Sequence, residues 1–190
     1  HTHGTAQGRE NMGEKLVIAF PGTGFTTKEV LFKRCLSVFQ SKGYKILELD
    51  FSMIPFKEIE TIPEAVEAAN RQVVSQLKNI SLEECEDIVF LSKSLGTVCA
   101  GWLEEHWGFH PRQLYLTPIR ETLAYIRENS RVIALVLGDK DRLMSVGELE
   151  AFCVPRGLRM VTFTGVGHSL KDEEDPARTQ SIAEQVAALC

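Results

Sequence analysis

The sequence predicts an α/β protein, a three-layer sandwich in which a six-stranded, mostly parallel sheet carries helices on both faces. Six short runs rich in β-branched and aromatic residues recur along the chain. Longer segments with apolar residues at helical spacing separate them, and this alternation is typical of a parallel sheet covered by helices. With 190 residues, the chain is long enough for one domain with a full core and too short for two.

The predicted strands leave room between them for connecting helices. They are Lys15–Phe20, Lys45–Asp50, Asp87–Leu91, Gln113–Thr117, Arg131–Gly138 and Arg159–Thr164. Helical spacing is seen for Val30, Leu31, Cys35, Leu36 and Phe39, and again for Val66, Ala69, Val73 and Leu77. Thr27 is placed to cap the first helix and Gly43 to end it. Pro63 and Pro176 stand where later helices should begin.

The first eleven residues, HTHGTAQGREN, lack apolar periodicity and contain two histidines among small polar residues. We expect residues 1–11 to be the remnant of an expression tag, with Met12 as the natural start. Residues 12–190 then form a single domain.

Charge and cysteine usage narrow the range of partners. The formal net charge is −5, and Lys and Arg are scattered among the acidic residues, which argues against a nucleic-acid partner. The five cysteines are widely spaced without a C-x-x-C pair, which indicates reduced thiols and no metal site. No apolar run approaches the roughly 18 residues of a membrane helix. We therefore expect a cytoplasmic protein without membrane association.

Residues with catalytic potential follow the predicted strands. A serine hydroxyl becomes a good nucleophile when a histidine removes its proton, and a carboxylate must orient that histidine. Ser94 follows the third strand, Asp139 and Asp141 follow the fifth, and His168 follows the sixth. Because ligands of open α/β sheets bind outside the carboxyl ends of the strands, these side chains are expected to meet there.

The order Ser, Asp, His and the segment SKSLG around Ser94 resemble the α/β-hydrolases. Their nucleophile elbow has the pattern G-x-S-x-G, and here Ser92 replaces the first glycine while Gly96 matches the second. From Lys15 onward, the chain is similar to a small α/β-hydrolase that has the core strands from the third to the eighth. The resemblance implies the strand order 2-1-3-4-5-6.

The resemblance also implies roles for individual residues. Ser94 would be the nucleophile and His168 the base. Asp141 would be the acid because it matches a G-x-x-D pattern, although Asp139 stays an alternative. The backbone N–H groups of Leu95 and Thr23 would form the oxyanion hole. Such an enzyme needs no cofactor and no metal ion.

Four further residues are candidates for the substrate pocket. Gly24 and Phe25 lie in the loop after the first strand, where the N–H of Gly24 is an alternative oxyanion donor. Met144 follows the predicted acid and could form an apolar wall. Lys93, directly before the nucleophile, could form an ion pair at the surface or place a positive charge near an acidic substrate.

The predicted activity is hydrolysis of a small ester, thioester or amide through an acyl-enzyme. Only about a dozen residues separate Thr117 from Arg131, where larger hydrolases carry a lid, so we expect an open site suited to small-molecule substrates. One alternative is a protein of the same fold that binds a ligand or partner without turnover. A second is an acyltransferase that uses the same triad. The oligomeric state is not predicted.

A dinucleotide site is a competing interpretation of the first loop. Gly22-Thr23-Gly24 follows the first strand, and Asp50 ends the second, as in a dinucleotide-binding fingerprint. The fingerprint requires a third glycine where Thr27 stands. The sequence therefore favours a simpler role for Asp50, in which its side chain accepts hydrogen bonds from its own loop.

Overall fold

The computed structural model describes residues 13–190, so the prediction for residues 1–11 lies outside the described residues. It contains a fully parallel six-stranded sheet. The strands are β1 (Lys15–Phe20), β2 (Tyr44–Glu48), β3 (Asp87–Lys93), β4 (Arg112–Leu116), β5 (Arg131–Gly138) and β6 (Met160–Phe163). Their order is β2-β1-β3-β4-β5-β6, which confirms the predicted fold class and strand order.

Helices connect the strands and cover both faces of the sheet. They are α1 (Val30–Ser41), α2 (Ile62–Leu77), α3 (Leu95–Trp107), α4 (Arg120–Leu123), α5 (Val146–Arg156) and α6 (Pro176–Ala187). Two short 3₁₀ turns, Phe56–Glu58 and Leu82–Glu84, lie in the connections on either side of α2. Within residues 13–190, no helix combines the length and apolar character that crossing a bilayer requires.

The alternation of side chains along the strands builds a core on each face of the sheet. In β1, Val17 and Ala19 pack in one core with α1 and α6, while Leu16, Ile18 and Phe20 pack in the other with α2 and α3. A strand that is covered on both faces has a continuous run of apolar residues, which explains the sequence of β1. A third cluster lies under α5, between that helix and strands β4 and β5.

Some helix ends follow the predictions and one does not. Pro63 and Pro176 lie in the first turns of α2 and α6, where Thr61 and Asp175 accept the capping hydrogen bonds. The expectation that Thr27 caps the first helix is wrong. That helix begins at Val30, because the chain makes additional turns after the first strand.

The carboxyl ends of the central strands are brought to the same edge of the sheet. Strand β3 runs two residues further than predicted, since Ser92 pairs with Phe20 of β1 and Lys93 pairs with Leu116 of β4. The connection from β4 to β5 holds only the four-residue helix α4. The segments after β1, β3, β5 and β6 therefore come together at this edge.

Candidate active site

Ser94 stands on a sharp turn between β3 and α3. Its backbone has φ 54° and ψ −121°, a conformation that side-chain-bearing residues rarely adopt. Such strain persists where the surrounding structure enforces it, and it is typical of the exposed serine on a tight turn between a strand and a helix in a nucleophile elbow. The N–H of Ser94 donates to the carbonyl oxygen of Leu116 at 2.9 Å, which holds the turn on strand β4.

Close packing on both sides of Ser94 explains the small residues of the SKSLG segment. A Cβ atom at Gly96 would lie 2.4 Å from the carbonyl oxygen of Pro21 and 2.5 Å from that of Phe20, so the position excludes any larger residue. Ser92 is fully buried at the other side of the turn. Its hydroxyl has no hydrogen-bond partner among the described residues.

The side chains of Ser94, His168 and Asp141 form one continuous hydrogen-bonded chain. Ser94 Oγ lies 2.6 Å from His168 Nε2. On the opposite side of the ring, His168 Nδ1 lies 2.7 Å from Asp141 Oδ2. With Nδ1 donating to the carboxylate, Nε2 of the neutral ring is free to accept the proton of the serine hydroxyl.

The environment of Asp141 favours an ionised carboxylate. Its side chain is 0% exposed, and burial by itself would oppose ionisation. Hydrogen bonds from His168 and from the backbone N–H groups of Leu143 and Met144 outweigh burial and hold the pKa of Asp141 below its usual value. Asp139 is exposed, and its carboxylate accepts a hydrogen bond from the N–H of Gly165 at 2.7 Å. Of the two candidate acids, Asp141 is the one bonded to His168.

Glycines allow the loop that carries His168 to lie against the end of β5. A Cβ at Gly138 would lie 2.3 Å from the carbonyl oxygen of Val166, so the two segments could not approach this closely with another residue there. Gly165 has φ +80°, the left-handed conformation that glycine adopts without strain. These contacts place His168 between Ser94 and Asp141.

Backbone N–H groups near Ser94 could receive a negative charge. The N–H of Leu95 is the first of α3, and the first N–H groups of a helix have no partner within it. The positive end of the α3 dipole also lies at Ser94. The loop of Thr23 passes beside it, because a Cβ at Gly22 would lie 3.3 Å from Ser94 Cβ. Within residues 13–190, neither the Leu95 nor the Thr23 N–H donates to another backbone carbonyl.

Several solved structures resemble this one. An α/β serine hydrolase homologue from Coxiella burnetii is 14% identical, with a TM-score of 0.63 over 92% of this chain and 84% of that chain. The Pyrococcus furiosus esterase Pf2001 is 17% identical, with a TM-score of 0.61 over 94% and 84%. Mouse α/β-hydrolase domain-containing protein 10 is 11% identical, with a TM-score of 0.63 over 92% and 88%.

The chain has the α/β-hydrolase fold. At these identities the similarity concerns the fold, and the chemistry has to be inferred from the site. No protein-family model matches the sequence, and a search of curated proteins gives no significant match.

Within this α/β-hydrolase fold, the prediction that Lys93 forms an ion pair at the surface is wrong, since the residue is 1% exposed. Its buried side chain does not line a substrate pocket either, and an effect of its charge on acidic substrates stays a prediction. Lys93 Nζ donates to the backbone carbonyl oxygen of His168 at 2.6 Å. The alternation along β3 directs the side chain under the His168 loop, on the face of the sheet that α1 and α6 cover.

Two of the other predicted pocket residues belong to the core. Met144 is 1% exposed and packs in the cluster under α5, so the prediction that it forms a pocket wall is wrong. Phe25 is also buried, with its ring 5.9 Å from that of Phe32, and its side chain is a core residue as well. Gly24 is exposed beside Thr23, and its part in substrate binding stays a prediction.

A cleft and a larger apolar groove lie outside the cluster of Ser94, His168 and Asp141. The cleft is lined by Pro21, Gly22 and Thr23 together with Asp50, and has a volume of about 380 Å³. Asp50 accepts a hydrogen bond from Ser52 N at 2.8 Å, as expected for a residue that stabilises its own loop. The groove has a volume of about 770 Å³ and lies between α2, α3 and the segment after α4.

The sequence did not reveal a chain of threonines next to Ser94. Thr97 and Thr122 are fully buried, and their hydroxyl oxygens lie 2.7 Å apart. Thr97 Oγ1 donates to the carbonyl oxygen of Ser94, and Thr122 Oγ1 accepts from the N–H of Ile119. The one available signal was the position of Thr97 in the first turn of α3, within reach of the turn that it stabilises.

Proposed function

We propose that the protein is a serine hydrolase that cleaves a small ester, thioester or amide through an acyl-enzyme. The observation that carries this proposal is the unbroken hydrogen-bonded chain from Ser94 through His168 to Asp141. The backbone strain at Ser94 supports it further, because a structural serine has no need of that conformation.

In the proposed reaction, Ser94 Oγ attacks the carbonyl carbon while His168 Nε2 takes the hydroxyl proton. The negative charge that develops on the carbonyl oxygen is received by the N–H groups of Leu95 and Thr23, near the positive end of α3. His168 then gives its proton to the leaving group. In the second half-reaction, His168 takes a proton from water, the water attacks the acyl-enzyme, and His168 returns the proton to Ser94 Oγ. Asp141 stabilises the imidazolium that forms in each half-reaction.

The proposed preference for small substrates rests on the loops around Ser94. The four-residue helix α4 is the only helix in the connection from β4 to β5, so this connection supplies little cover for the site. The cleft beside Thr23, with its volume of about 380 Å³, is at the small end of the range for ligand sites. On these grounds we propose a small-molecule substrate with a short acyl group.

A fluorophosphonate probe tests the proposal without knowledge of the substrate. It reacts with an activated serine, and one covalent adduct per chain is expected by intact mass. Ser94→Ala and His168→Ala should both lose the adduct. Ser92→Ala is a matched control, because Ser92 lies two residues away and its buried hydroxyl has no partner in the described structure. We expect this variant to be labelled as the wild type is.

The remaining outcomes separate the alternatives. A folded wild type that forms no adduct would overturn the proposal and favour a binding protein on the same fold. Labelling at Ser94 combined with transfer of an acyl group to an added alcohol or amine, in preference to water, would indicate an acyltransferase. Labelling followed by release of free acid from short-chain esters is the result expected of a hydrolase.

A further inference from the structure

The ammonium group of Lys93 lies beneath the loop that carries His168. Nζ donates to the backbone carbonyl oxygen of His168 at 2.6 Å and lies 4.5 Å from the centre of the Phe25 ring. Lys93 is the last residue of β3, and Ser94 follows it directly. This hydrogen bond therefore connects the end of the strand before Ser94 to the loop of His168, the proposed base.

A buried lysine in this place is expensive for the fold. Burial lowers the pKa of Lys93 to about 7, and the nearby charge of Lys171 lowers it further. The carboxylates of Asp141 and Glu29 act in the opposite direction, because they favour the charged form of Lys93. Neither carboxylate forms a direct ion pair with Lys93, since Glu29 pairs with Lys171 and Asp141 pairs with His168. An apolar residue would fill the same space without desolvating a charge. Stability alone does not explain why a lysine is found here.

We propose that Lys93 is a positioning residue, whose ammonium holds the His168 loop so that Nε2 meets the hydroxyl of Ser94. The inference rests on the proposed hydrolase function. A hydrogen bond from a charged donor is stronger than one from a neutral donor, so the ammonium fixes the carbonyl of His168 more firmly than the free amine does. Small displacements of reacting groups have large effects on rate, and one of about 1 Å can cost about a hundredfold.

Lys93→Met tests the proposal, because methionine has a similar length and removes both the charge and the donor. We expect kcat for a short-chain ester to fall by about tenfold or more below pH 7, with a smaller change in KM. Lys140→Met is the matched control, since Lys140 is an exposed lysine next to Asp141. Its kinetics should equal those of the wild type.

The pH dependence separates positioning by the ammonium from a merely structural role. Wild-type Lys93 loses its charge as the pH rises through about 7. The ratio of wild-type to Lys93→Met kcat should therefore be largest below that pH and decrease above it. A variant that is simply misfolded or loosened would show a ratio that does not change with pH.

Lys93→Gln provides a second variant that keeps an N–H donor without the charge. We expect its kcat to lie between those of the wild type and Lys93→Met, and it replaces the methionine variant if that chain does not fold. Folded variants with wild-type kcat, or a ratio that is constant with pH, would overturn the inference. If the wild type itself forms no phosphonate adduct, the proposed function fails first, so the two failures are distinguishable.

Discussion

The hydroxyl of Thr97 donates a hydrogen bond to the carbonyl oxygen of Ser94 at 2.6 Å. Since a hydroxyl has one proton, Thr97 Oγ1 must accept the hydrogen bond it shares with Thr122. Thr122 Oγ1 in turn accepts from the N–H of Ile119. These directed bonds hold the backbone of the strained turn in place.

Replacement of Thr97 by valine should therefore loosen the turn that carries Ser94. The variant keeps the shape of the side chain but leaves the Thr122 hydroxyl without an acceptor, so we expect a loss of about 1 to 3 kcal/mol in the free energy of unfolding. Phosphonate labelling should also slow. Thr97→Ser keeps the hydroxyl and should retain most of the labelling rate. Equal rates for the valine and serine variants would show that the hydroxyl is not needed.

The choice between the two candidate acids can be decided by paired substitutions. Asp141→Asn removes the charge bonded to His168 and favours the wrong tautomer of the ring, so kcat should fall by about 10⁴. Asp139→Asn keeps an oxygen acceptor for Gly165 and should leave kcat within about threefold of the wild type. Ester hydrolysis at saturating substrate measures both. A larger loss for the Asp139 variant would reverse the assignment.

The close approach of α3 to β1 predicts a severe effect of Gly96→Ala. The added methyl would overlap the carbonyl oxygens of Pro21 and Phe20, and the helix would have to move away, at a cost of about 1 to 3 kcal/mol in unfolding free energy. Gly147→Ala is the matched control in α5, where a Cβ meets nothing within 4 Å. Urea denaturation should show this variant to be as stable as the wild type or up to about 1 kcal/mol more stable. Equal stability of the two variants would contradict the packing described here.

The buried ammonium predicts an unusual dependence of stability on pH. The pKa of Lys93 is about 7 in the folded protein against 10.5 for an ordinary lysine. Below pH 7 the residue is charged in both states, and the folded state bears the whole cost of burial. Between these two values the unfolded chain binds more protons, so the contribution of Lys93 to unfolding free energy rises with pH.

Lys93→Met should remove this dependence. At pH 6 we expect the variant to be about 1 to 3 kcal/mol more stable than the wild type, by analogy with other buried charges replaced by apolar residues. The difference should shrink as the pH approaches 10. Urea denaturation at pH 6 and pH 9.5 measures it, with Lys140→Met as the control for a lost surface charge. A difference that is the same at both pH values would contradict the burial of a charged lysine.

Much of the fold could be predicted because local and global signals agree. The apolar runs of β1 and β5 fill the strands after their first residues, Lys15 and Arg131, since burial on both faces favours apolar side chains at every later position. The end of β3 could not be predicted, because Ser92 and Lys93 are polar residues that continue the ladder. Backbone pairing with neighbouring strands, which the local sequence does not report, decides that boundary.

Part of the candidate site could also be predicted from the sequence, and part of it could not. Order and spacing along the chain indicated Ser94 and His168, because each follows a strand of a parallel sheet. The burial of Lys93 and Met144 was not predictable, since it depends on how the loop of His168 lies over Lys93 and how the segment of Met144 packs under α5. Lysine is almost always exposed, so a sequence-based expectation for Lys93 had to favour the surface.

The separation of Ser94, Asp141 and His168 along the chain has a consequence for folding. Their hydrogen bonds join residues 74 and 27 positions apart, on segments that meet only after strands β3, β5 and β6 are aligned. Parallel pairing of distant segments is slow, because loops must close before contacts can form. A partly folded chain or a proteolytic fragment would thus lack the hydrogen-bonded chain of Ser94, His168 and Asp141, and a newly made protein would complete it late, when the whole sheet has formed.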